Sequence, residues 1–417
     1  TVNAPDDIDA AVSDFSPTFG LNMRQFDMMM KIYKILSQKY DVVCTNPPYM
    51  GGSGMNAKLS EFVKSKFPDS KSDLFACFIE KCGQLAKPHG FYAMITQHAF
   101  MFLSSYENLR KKLMQTTTVN MAHLGARAFD EIGGEVVQTT AFVMTGHIKD
   151  YKGTYARLVD TVGENEKRDL FLSGDKRFAA KQENFSKIPG SPVAYWVSEN
   201  FIRAFENGRL LGEIASSKQG IATADNNRFL REWYEVNVEK ILFDCSTHEE
   251  SKTSPAKWYP YNKGGEFRKW YGNNDYVVNW QYDGAELRNF KKSVIRNPNF
   301  YFMPCFSWSL ISSSVAAFRY KPKGHIFDVA GMSCFSNDKL HYLLALCNSS
   351  CAMKVLEVIA PTINYQCGDI ANIPVIIPDS DEVENHVKEL VKDNIDSCKT
   401  DWDYYEVSWD FEKHTLI

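Results

Sequence analysis

The residues best suited to chemistry form a short turn, Asn46-Pro47-Pro48-Tyr49, which follows the apolar segment 41–45. The Asn46 side chain offers a carbonyl oxygen as an acceptor, and Pro47 keeps its backbone carbonyl although it has no N–H. Two acceptors on a rigid turn can hold both hydrogens of a planar amino group. Those bonds favour a more tetrahedral nitrogen, whose lone pair can attack. Tyr49 adds a flat face for stacking a base, so the turn suits the activation of an exocyclic amino group.

The elements around the turn predict that it lies at the edge of a sheet. A short apolar run such as 41–45 is typical of a buried parallel strand, and the two prolines end its pairing. Residues 22–40 have apolar side chains at helical spacing, so a helix should lead into this strand. Open α/β sheets bind ligands at the carboxyl ends of their strands, which is where the turn would lie.

Downstream patterns extend this sheet. Apolar side chains predict a helix that starts after Ser72-Asp73, a strand at 91–96, a helix at 104–114, and strands at 121–124 and 136–144. This alternation favours an α/β fold with a mainly parallel sheet. Residues 149–192 carry no long apolar run, so we expect an irregular connection with short strands.

The second half of the chain has a different texture. Between 208 and 320, aromatic, glycine, asparagine and basic residues interleave, which is typical of a loop-rich domain with a polar, partly aromatic binding surface. An amphipathic helix is predicted at 341–359, a proline-bounded strand at 373–378, and an exposed helix at 382–396. The predicted divisions are 1–150, a connection at 151–207, a recognition domain at 208–378, and an acidic helical segment at 379–417.

Charge is distributed unevenly along the chain, whose formal net charge is −4. Residues 251–330 contain twelve Lys and Arg against five Asp and Glu, whereas residues 371–417 contain four against twelve. The basic stretch supplies candidate contacts to nucleic-acid phosphates. The alternative is an ordinary solvated face. The candidates are Arg268, Lys269, Arg288, Lys291, Lys292 and Arg296.

Size and composition narrow the class of protein. The chain has 417 residues, enough for two domains, and no apolar run of about 18 residues that would predict a transmembrane helix. No signal peptide is visible. The ten cysteines form no C-x-x-C pair, which argues against zinc and for reduced thiols in a cytoplasm. We therefore expect neither a metal ion nor a membrane partner.

Several of these stretches together resemble one class of enzyme. Asn46-Pro47-Pro48-Tyr49 is the motif of amino-group methyltransferases that use S-adenosylmethionine (AdoMet). The segment that begins at Asp73 resembles the border of the AdoMet pocket, and residues 87–96 resemble a Lys-Pro-Gly-Gly segment followed by a strand, with His89 in place of the first glycine. Phe129 resembles the aromatic residue that stacks on a flipped base opposite Tyr49. The order of the segments is that of γ-class adenine-N6 DNA methyltransferases.

The second half narrows the resemblance. Residues 220–230, 261–273 and 408–411 are similar to the large adenine methyltransferase of BREX phage-exclusion systems. The resemblance implies part of a Rossmann-like AdoMet-dependent sheet followed by an α+β, loop-rich target-recognition domain. It implies double-stranded DNA and other phage-defence proteins as partners, and cofactor contacts from Asn46 and Asp73. The AdoMet glycine loop of such enzymes precedes the catalytic motif. None precedes Asn46 here, which predicts a fragment with an incomplete AdoMet site.

Two other hypotheses remain open. Protein-glutamine methyltransferases use the same Asn-Pro-Pro-Tyr motif, although they have no need of a large basic, aromatic domain after the catalytic one. Alternatively, the chain is a non-catalytic DNA-recognition and assembly module.

Overall fold

The computed structural model describes residues 23–128, 137–312 and 315–414, and they divide into two compact units. Within the described residues, the first unit runs to Phe100 and includes Lys111–Lys181. The second unit holds Met101–Arg110 and the chain from Gln182 onward.

The first unit combines one sheet with short helices. Its elements in chain order, including the helix α4 that crosses the division between the units, are α1 (Met23–Ser37), β1 (Tyr40–Thr45), α2 (Ala57–Lys66), α3 (Leu74–Leu85), β2 (Ala86–Gln97), α4 (Glu107–Leu113), β3 (Thr116–Gly125), β4 (Thr139–Gly146), β5 (Lys152–Arg157), α5 (Glu164–Ser173) and β6 (Arg177–Lys181).

The sheet has the strand order β1-β2-β4-β3-β5-β6 and is mixed. The pairs β1/β2 and β3/β5 are parallel, whereas β4 is antiparallel to both of its neighbours and β6 is antiparallel to β5. The α/β class is confirmed, but the prediction of a mainly parallel sheet was wrong. Among the described residues no helix separates β3 from β4, so β4 returns as an antiparallel neighbour. The sheet also continues through β5 and β6, in the stretch where the sequence predicted an irregular connection with short strands.

Strand β1 is less buried than its apolar run predicted. Val42 is 63% exposed, because within the described residues β1 pairs on one side only, with β2. On that paired side the backbones of β1 and β2 approach closely at Gly90. A Cβ at position 90 would lie 2.8 Å from the backbone oxygen of Tyr40, so the segment requires glycine there. His89 is exposed, which explains why a side chain is tolerated one position earlier.

Helix α3 packs on β1 and β2 and supplies much of the core behind the turn. Phe75 and Ile79 are fully buried on its inner face, and Tyr92 and Met94 on β2 are nearly so. Burial of each large apolar side chain contributes about 1.5–3 kcal/mol. This packing fixes the position of the helix start, where Asp73 lies.

The second unit is built from short strands and helices. Its elements from Gln182 onward, in chain order, are α6 (Glu199–Asn207), β7 (Arg209–Leu210), β8 (Ser216–Lys218), α7 (Asn226–Phe229), β9 (Leu230–Glu232), α8 (His248–Thr253), β10 (Trp258–Asn262), β11 (Tyr276–Asn279), α9 (Gln281–Asn289), β12 (Cys305–Ser309), β13 (Phe318–Lys321), β14 (Ile326–Phe327), β15 (Gly331–Phe335), α10 (Leu340–Asn348), α11 (Ser350–Ile359), α12 (Cys367–Ala371), β16 (Pro374–Val375) and α13 (Asp381–Asp403).

These strands form three sheets around two main cores. The sheet orders are β14-β10-β11-β9, β13-β12-β15-β8 and β16-β7. Trp280 lies at the centre of one core, together with Tyr259 and Phe302. Trp308 and Phe318 lie in the other core, against helices α10 to α13.

Two helix predictions need correction. The single helix predicted at 341–359 is two helices, because Ser349 is extended (ψ 157°) and its side chain caps α11 by accepting from the Ala352 N–H. Helix α13 is not simply exposed, since Val391, Ile395 and Trp402 are buried in the second core. Within the described residues no single helix has the length and apolar character of a membrane span, although the bent pair α10 and α11 passes that test together.

Candidate functional site

The Asn-Pro-Pro-Tyr turn begins directly after the last paired residue of β1. Thr45 is in register with Met94 of β2, and the chain then leaves the sheet. Pro47 is buried and anchors the turn, whereas Asn46 is exposed. Asn46 also lines a hollow of about 900 Å³ that runs along the strands. The turn thus presents its amide side chain to solvent at the carboxyl end of β1, where the sequence predicted it.

Tyr49 is held by its surroundings. Its ring meets Phe75 edge-on, with 6.1 Å between centroids and 79° between planes, and its hydroxyl lies 3.4 Å from the Ile95 carbonyl oxygen. Burial raises the pKa of Tyr49, and the nearby charge of Asp73 adds to the effect, so the phenol is neutral at physiological pH. The ring is therefore available as a stacking surface rather than as a source of charge.

Asp73 connects the catalytic turn to α3. One carboxylate oxygen, Oδ1, accepts a hydrogen bond from the Phe75 N–H (3.2 Å) as the N-cap of α3, and another from the Met50 N–H (2.9 Å). The Leu74 N–H donates in return to the Met50 carbonyl oxygen at 3.1 Å. The sequence predicted a cofactor contact for Asp73, and that contact stays a prediction. What the structure adds is a clamp on the residue that follows Tyr49.

The sequence predicted an incomplete methyl-donor site, and that stays a prediction. Among residues 23–45 no glycine-rich loop precedes the turn, and within the described residues β1 pairs with β2 alone. Phe129, the predicted second stacking residue, lies outside the described residues.

A histidine pair lies near the same strand ends. His98 follows β2 and His123 is in β3, with 2.8 Å between His98 Nδ1 and His123 Nε2. Burial lowers the pKa of His98 to about 4 and that of His123 to about 3, so both rings are neutral at pH 7. Sequence reasoning assigned no chemistry to His98 and did not single out His123. Their separation of 25 residues carries no local signal for the contact.

The predicted DNA-contact residues fall into two groups in the second unit. In the first group, Arg268 pairs with Asp401 (3.0 Å) and lies over the Trp402 ring, and the Lys269 ammonium donates to the Asn348 carbonyl oxygen at 2.9 Å. Both cations therefore hold residues 268–269 against helices α10 and α13 of the same unit. A phosphate contact by either one would compete with these bonds.

The second group lies at the end of α9 and just after it. Arg288 pairs with Asp283 and lies over Trp280, whereas Lys291 and Lys292 are exposed. Arg296 has a buried guanidinium nitrogen, Nη1, that meets no acceptor among the described residues. Lys291 and Lys292 are thus better placed to meet a phosphate than Arg268, Lys269 or the buried nitrogen of Arg296.

The turn and the start of α3 also fall within a recognised family model. Residues 7–129 match the model described as Eco57I restriction-modification methylase. The chain is 42% identical over 408 residues to the adenine-specific methyltransferase PglX of Lacticaseibacillus casei (strain Zhang), which covers 93% of this chain. It is 44% identical over 390 residues to the adenine-specific methyltransferase BrxX of Escherichia coli O9:H4 (strain HS), covering 92% of this chain.

This chain is a homologue of adenine-specific methyltransferases. The resemblance seen in the sequence is confirmed by PglX and BrxX, although the chain spans only about a third of their length, 33% and 31% respectively. The individual residue roles and the predicted domain boundaries stay predictions.

The fold class is also confirmed by a solved structure. The type IIL restriction-modification enzyme MmeI, solved in complex with DNA, superposes with a TM-score of 0.56 over 89% of this chain and 50% of that enzyme. Sequence identity is 13%, so the likeness concerns the fold alone. It includes residues of both units of the chain, the mixed α/β unit with the Asn-Pro-Pro-Tyr turn and the unit of short strands.

Proposed function

We propose that this chain carries the catalytic turn and the recognition unit of a site-specific DNA adenine-N6 methyltransferase that acts in bacterial phage defence. The observation that carries the proposal is the exposed Asn46 at the carboxyl end of β1, beside the fixed ring of Tyr49. Homology to PglX and BrxX supplies the base and the reaction class.

In this proposal the target adenine leaves the duplex and enters the turn. Its N6 hydrogens donate to the Asn46 side-chain oxygen and to the Pro47 carbonyl oxygen. Tyr49 stacks on one face of the ring, and Phe129 is the proposed partner on the other face. AdoMet, when bound, supplies a methyl group on a positively charged sulfur. The acceptors on the turn orient the N6 lone pair, so alignment and preorganised polar groups provide the rate enhancement.

The proposal also names the partners and the compartment. Asn46 and Asp73 would contact AdoMet, and other segments of a chain as long as the relatives would complete its site. The macromolecular partners are double-stranded DNA and other phage-defence proteins. A bacterial cytoplasm fits the ten cysteines, which are all free thiols.

The test uses the protein at the length of its relatives. Asn46→Ala should lower methyl transfer to unmethylated genomic DNA by about 10²–10³-fold or more, because one preorganised acceptor is lost. DNA affinity should stay within about twofold, since the removed contact is to one base. Transfer is measured with radiolabelled AdoMet. The control is Ser53→Ala, an exposed residue of the same loop. Wild-type transfer in Asn46→Ala would refute the proposed role of the turn.

For the chain on its own, the pairing of β1 on one side only among the described residues favours a second function, DNA recognition without methyl transfer. Calorimetry with AdoMet distinguishes the two. The chain alone should show no binding, whereas a protein of the relatives' length should bind. Equal binding by both would show that the described residues are sufficient.

A further inference from the structure

The second unit contains a strained turn that sequence reasoning overlooked. Tyr282, Asp283 and Gly284, at the start of α9, are three consecutive residues in the left-handed region, with φ of 54°, 56° and 74°. Glycine adopts this conformation readily, but for a bulky residue such as tyrosine it is a genuine outlier. Backbone strain of this kind persists only where the surrounding structure fixes it.

Four hydrogen bonds fix this turn through Asp283. Its Oδ1 lies 2.5 Å from His248 Nδ1 and accepts from Trp280 Nε1 at 3.2 Å. Arg288 donates to Asp283 twice, from Nη2 to Oδ2 (3.0 Å) and from Nε to the backbone oxygen (2.7 Å). The Asp283 side chain is only 13% exposed, so its carboxylate is largely shielded from water. The carboxylate therefore makes three of the four hydrogen bonds that hold the turn.

Packing fixes the end of the turn as well. The Gly284 N–H donates to the Trp280 carbonyl oxygen at 3.0 Å. A Cβ at position 284 would lie 2.5 Å from the ring of Trp280, which is fully buried. The backbone of Gly284 thus rests directly on the aromatic core of the unit.

The side chain that this support presents has no packing role of its own. Tyr282 is 59% exposed, and the ring contacts of the Trp280 core do not include it. The protein accepts a left-handed tyrosine, and three surrounding residues, His248, Trp280 and Arg288, maintain it without burying the ring. An arrangement of this kind is typical of a residue whose partner is another molecule.

Nearby charges indicate what that molecule is. Lys291 and Lys292 are exposed and follow α9 closely along the chain, just after its last residue, Asn289. A flat ring beside a group of cations matches the chemistry of a nucleic acid, whose bases stack and whose phosphates attract cations.

We propose that the left-handed turn holds Tyr282 as a wedge that inserts between base pairs of DNA, and that Lys291 and Lys292 contact the phosphates of the same duplex. This inference rests on the proposed function of the chain as a DNA methyltransferase. It adds a recognition residue in the second unit, separate from the base-flipping site at Tyr49.

The test uses the full-length protein and a fluorescent duplex of random sequence, with fluorescence anisotropy measured over a range of salt concentrations. Tyr282→Ala should weaken binding about tenfold, since the inserted ring loses its stacking contacts with the separated base pairs, and should leave the salt slope unchanged. The double variant Lys291→Gln and Lys292→Gln should instead reduce the slope by about 1–2. The matched control is Tyr405→Ala, a tyrosine that is 52% exposed within the acidic C-terminal segment.

A thermal unfolding measurement separates recognition from a structural role. Tyr282→Gly relieves the left-handed strain, so its melting temperature should equal or exceed that of the wild type while DNA affinity falls. A lower melting temperature with unchanged affinity would show that Tyr282 is structural and overturn the inference. Wild-type affinity in Tyr282→Ala would overturn it as well. A wild-type protein that does not bind the duplex would refute the DNA-binding function itself.

Discussion

Two turns in this molecule each present an aromatic ring, and they are made rigid by different means. The turn at Tyr49 follows two prolines, whose rings fix φ without help from distant residues. The turn at Tyr282 is left-handed over three residues and depends on His248, Trp280 and Arg288. The first ring meets Phe75 at the edge of the core, whereas the second is mostly exposed.

The difference shows two ways of preorganising a contact. Covalent restriction acts in the unfolded chain too, so it adds little strain to the folded state. Tertiary support has to overcome a backbone cost of about 1–3 kcal/mol for each strained residue. The comparison therefore predicts that small changes in the supporting residues will affect the turn at Tyr282 more than the turn at Tyr49.

The largest expected difference in the free energy of unfolding is between glycine substitutions at the two turns. Gly284→Ala places a methyl group 2.5 Å from the Trp280 ring at a φ of 74°, and should lower the free energy of unfolding by about 2–4 kcal/mol. Gly52→Ala, in the loop after Tyr49, is the control. A Cβ at position 52 meets nothing within 4 Å, so the change should stay within about 0.5 kcal/mol. Urea unfolding measures both variants, and equal losses would contradict the comparison.

A smaller effect is expected at the clamp of the catalytic turn. Asp73→Ala removes the acceptor for the Phe75 and Met50 N–H groups, and should lower stability by about 1–2 kcal/mol. Methyl transfer by the full-length protein should fall about tenfold, mainly in kcat, because the turn loses alignment.

Asp73→Asn is the matched variant for this clamp, since its amide oxygen can accept both bonds. It should recover most of the stability and most of kcat. If Asp73 instead contacts the cofactor directly, Asp73→Asn should raise the KM for AdoMet as much as Asp73→Ala does.

The smallest expected effect is the loss of folding stability at acid pH that the buried pair His98 and His123 causes. The pKa of His98 is lowered to about 4 and that of His123 to about 3 by burial, against about 6.5 in an unfolded chain. As pH falls below about 6.5, the unfolded state binds protons that the folded state does not. Stability should therefore drop by on the order of 1 kcal/mol between pH 7 and pH 6, and continue to fall towards pH 4.

The comparison for this prediction is with His98→Gln, whose unfolding free energy should depend less steeply on pH. His89→Gln is the control, because His89 is exposed and should leave the slope unchanged. The pKa of His325 in the second unit is also lowered, to about 3. The unfolding free energy of both variants should therefore still depend on pH. Identical slopes in His98→Gln and the wild type would refute the prediction.

Much of the first unit could be read from local patterns. The helix before β1, the strand that ends at Asn46, the helix after Asp73 and the strand at 91–96 all follow from apolar spacing, capping residues and prolines within a few positions of one another. The strand directions could not be read in this way. Whether β4 runs parallel or antiparallel depends on how the chain returns, which periodicity does not encode.

The sequence by itself determined the form of the Asn46–Tyr49 turn, because the rigidity and acceptors of Asn46-Pro47-Pro48-Tyr49 are properties of neighbouring residues. The tertiary structure alone decided which cations are engaged and which tyrosine is presented. Arg268 and Lys291 look alike in a charge count, yet one is bound to Asp401 and the other is exposed. Tyr282 gains its position from His248, Trp280 and Arg288. Contacts between residues distant along the chain leave no local pattern, since they are set by packing.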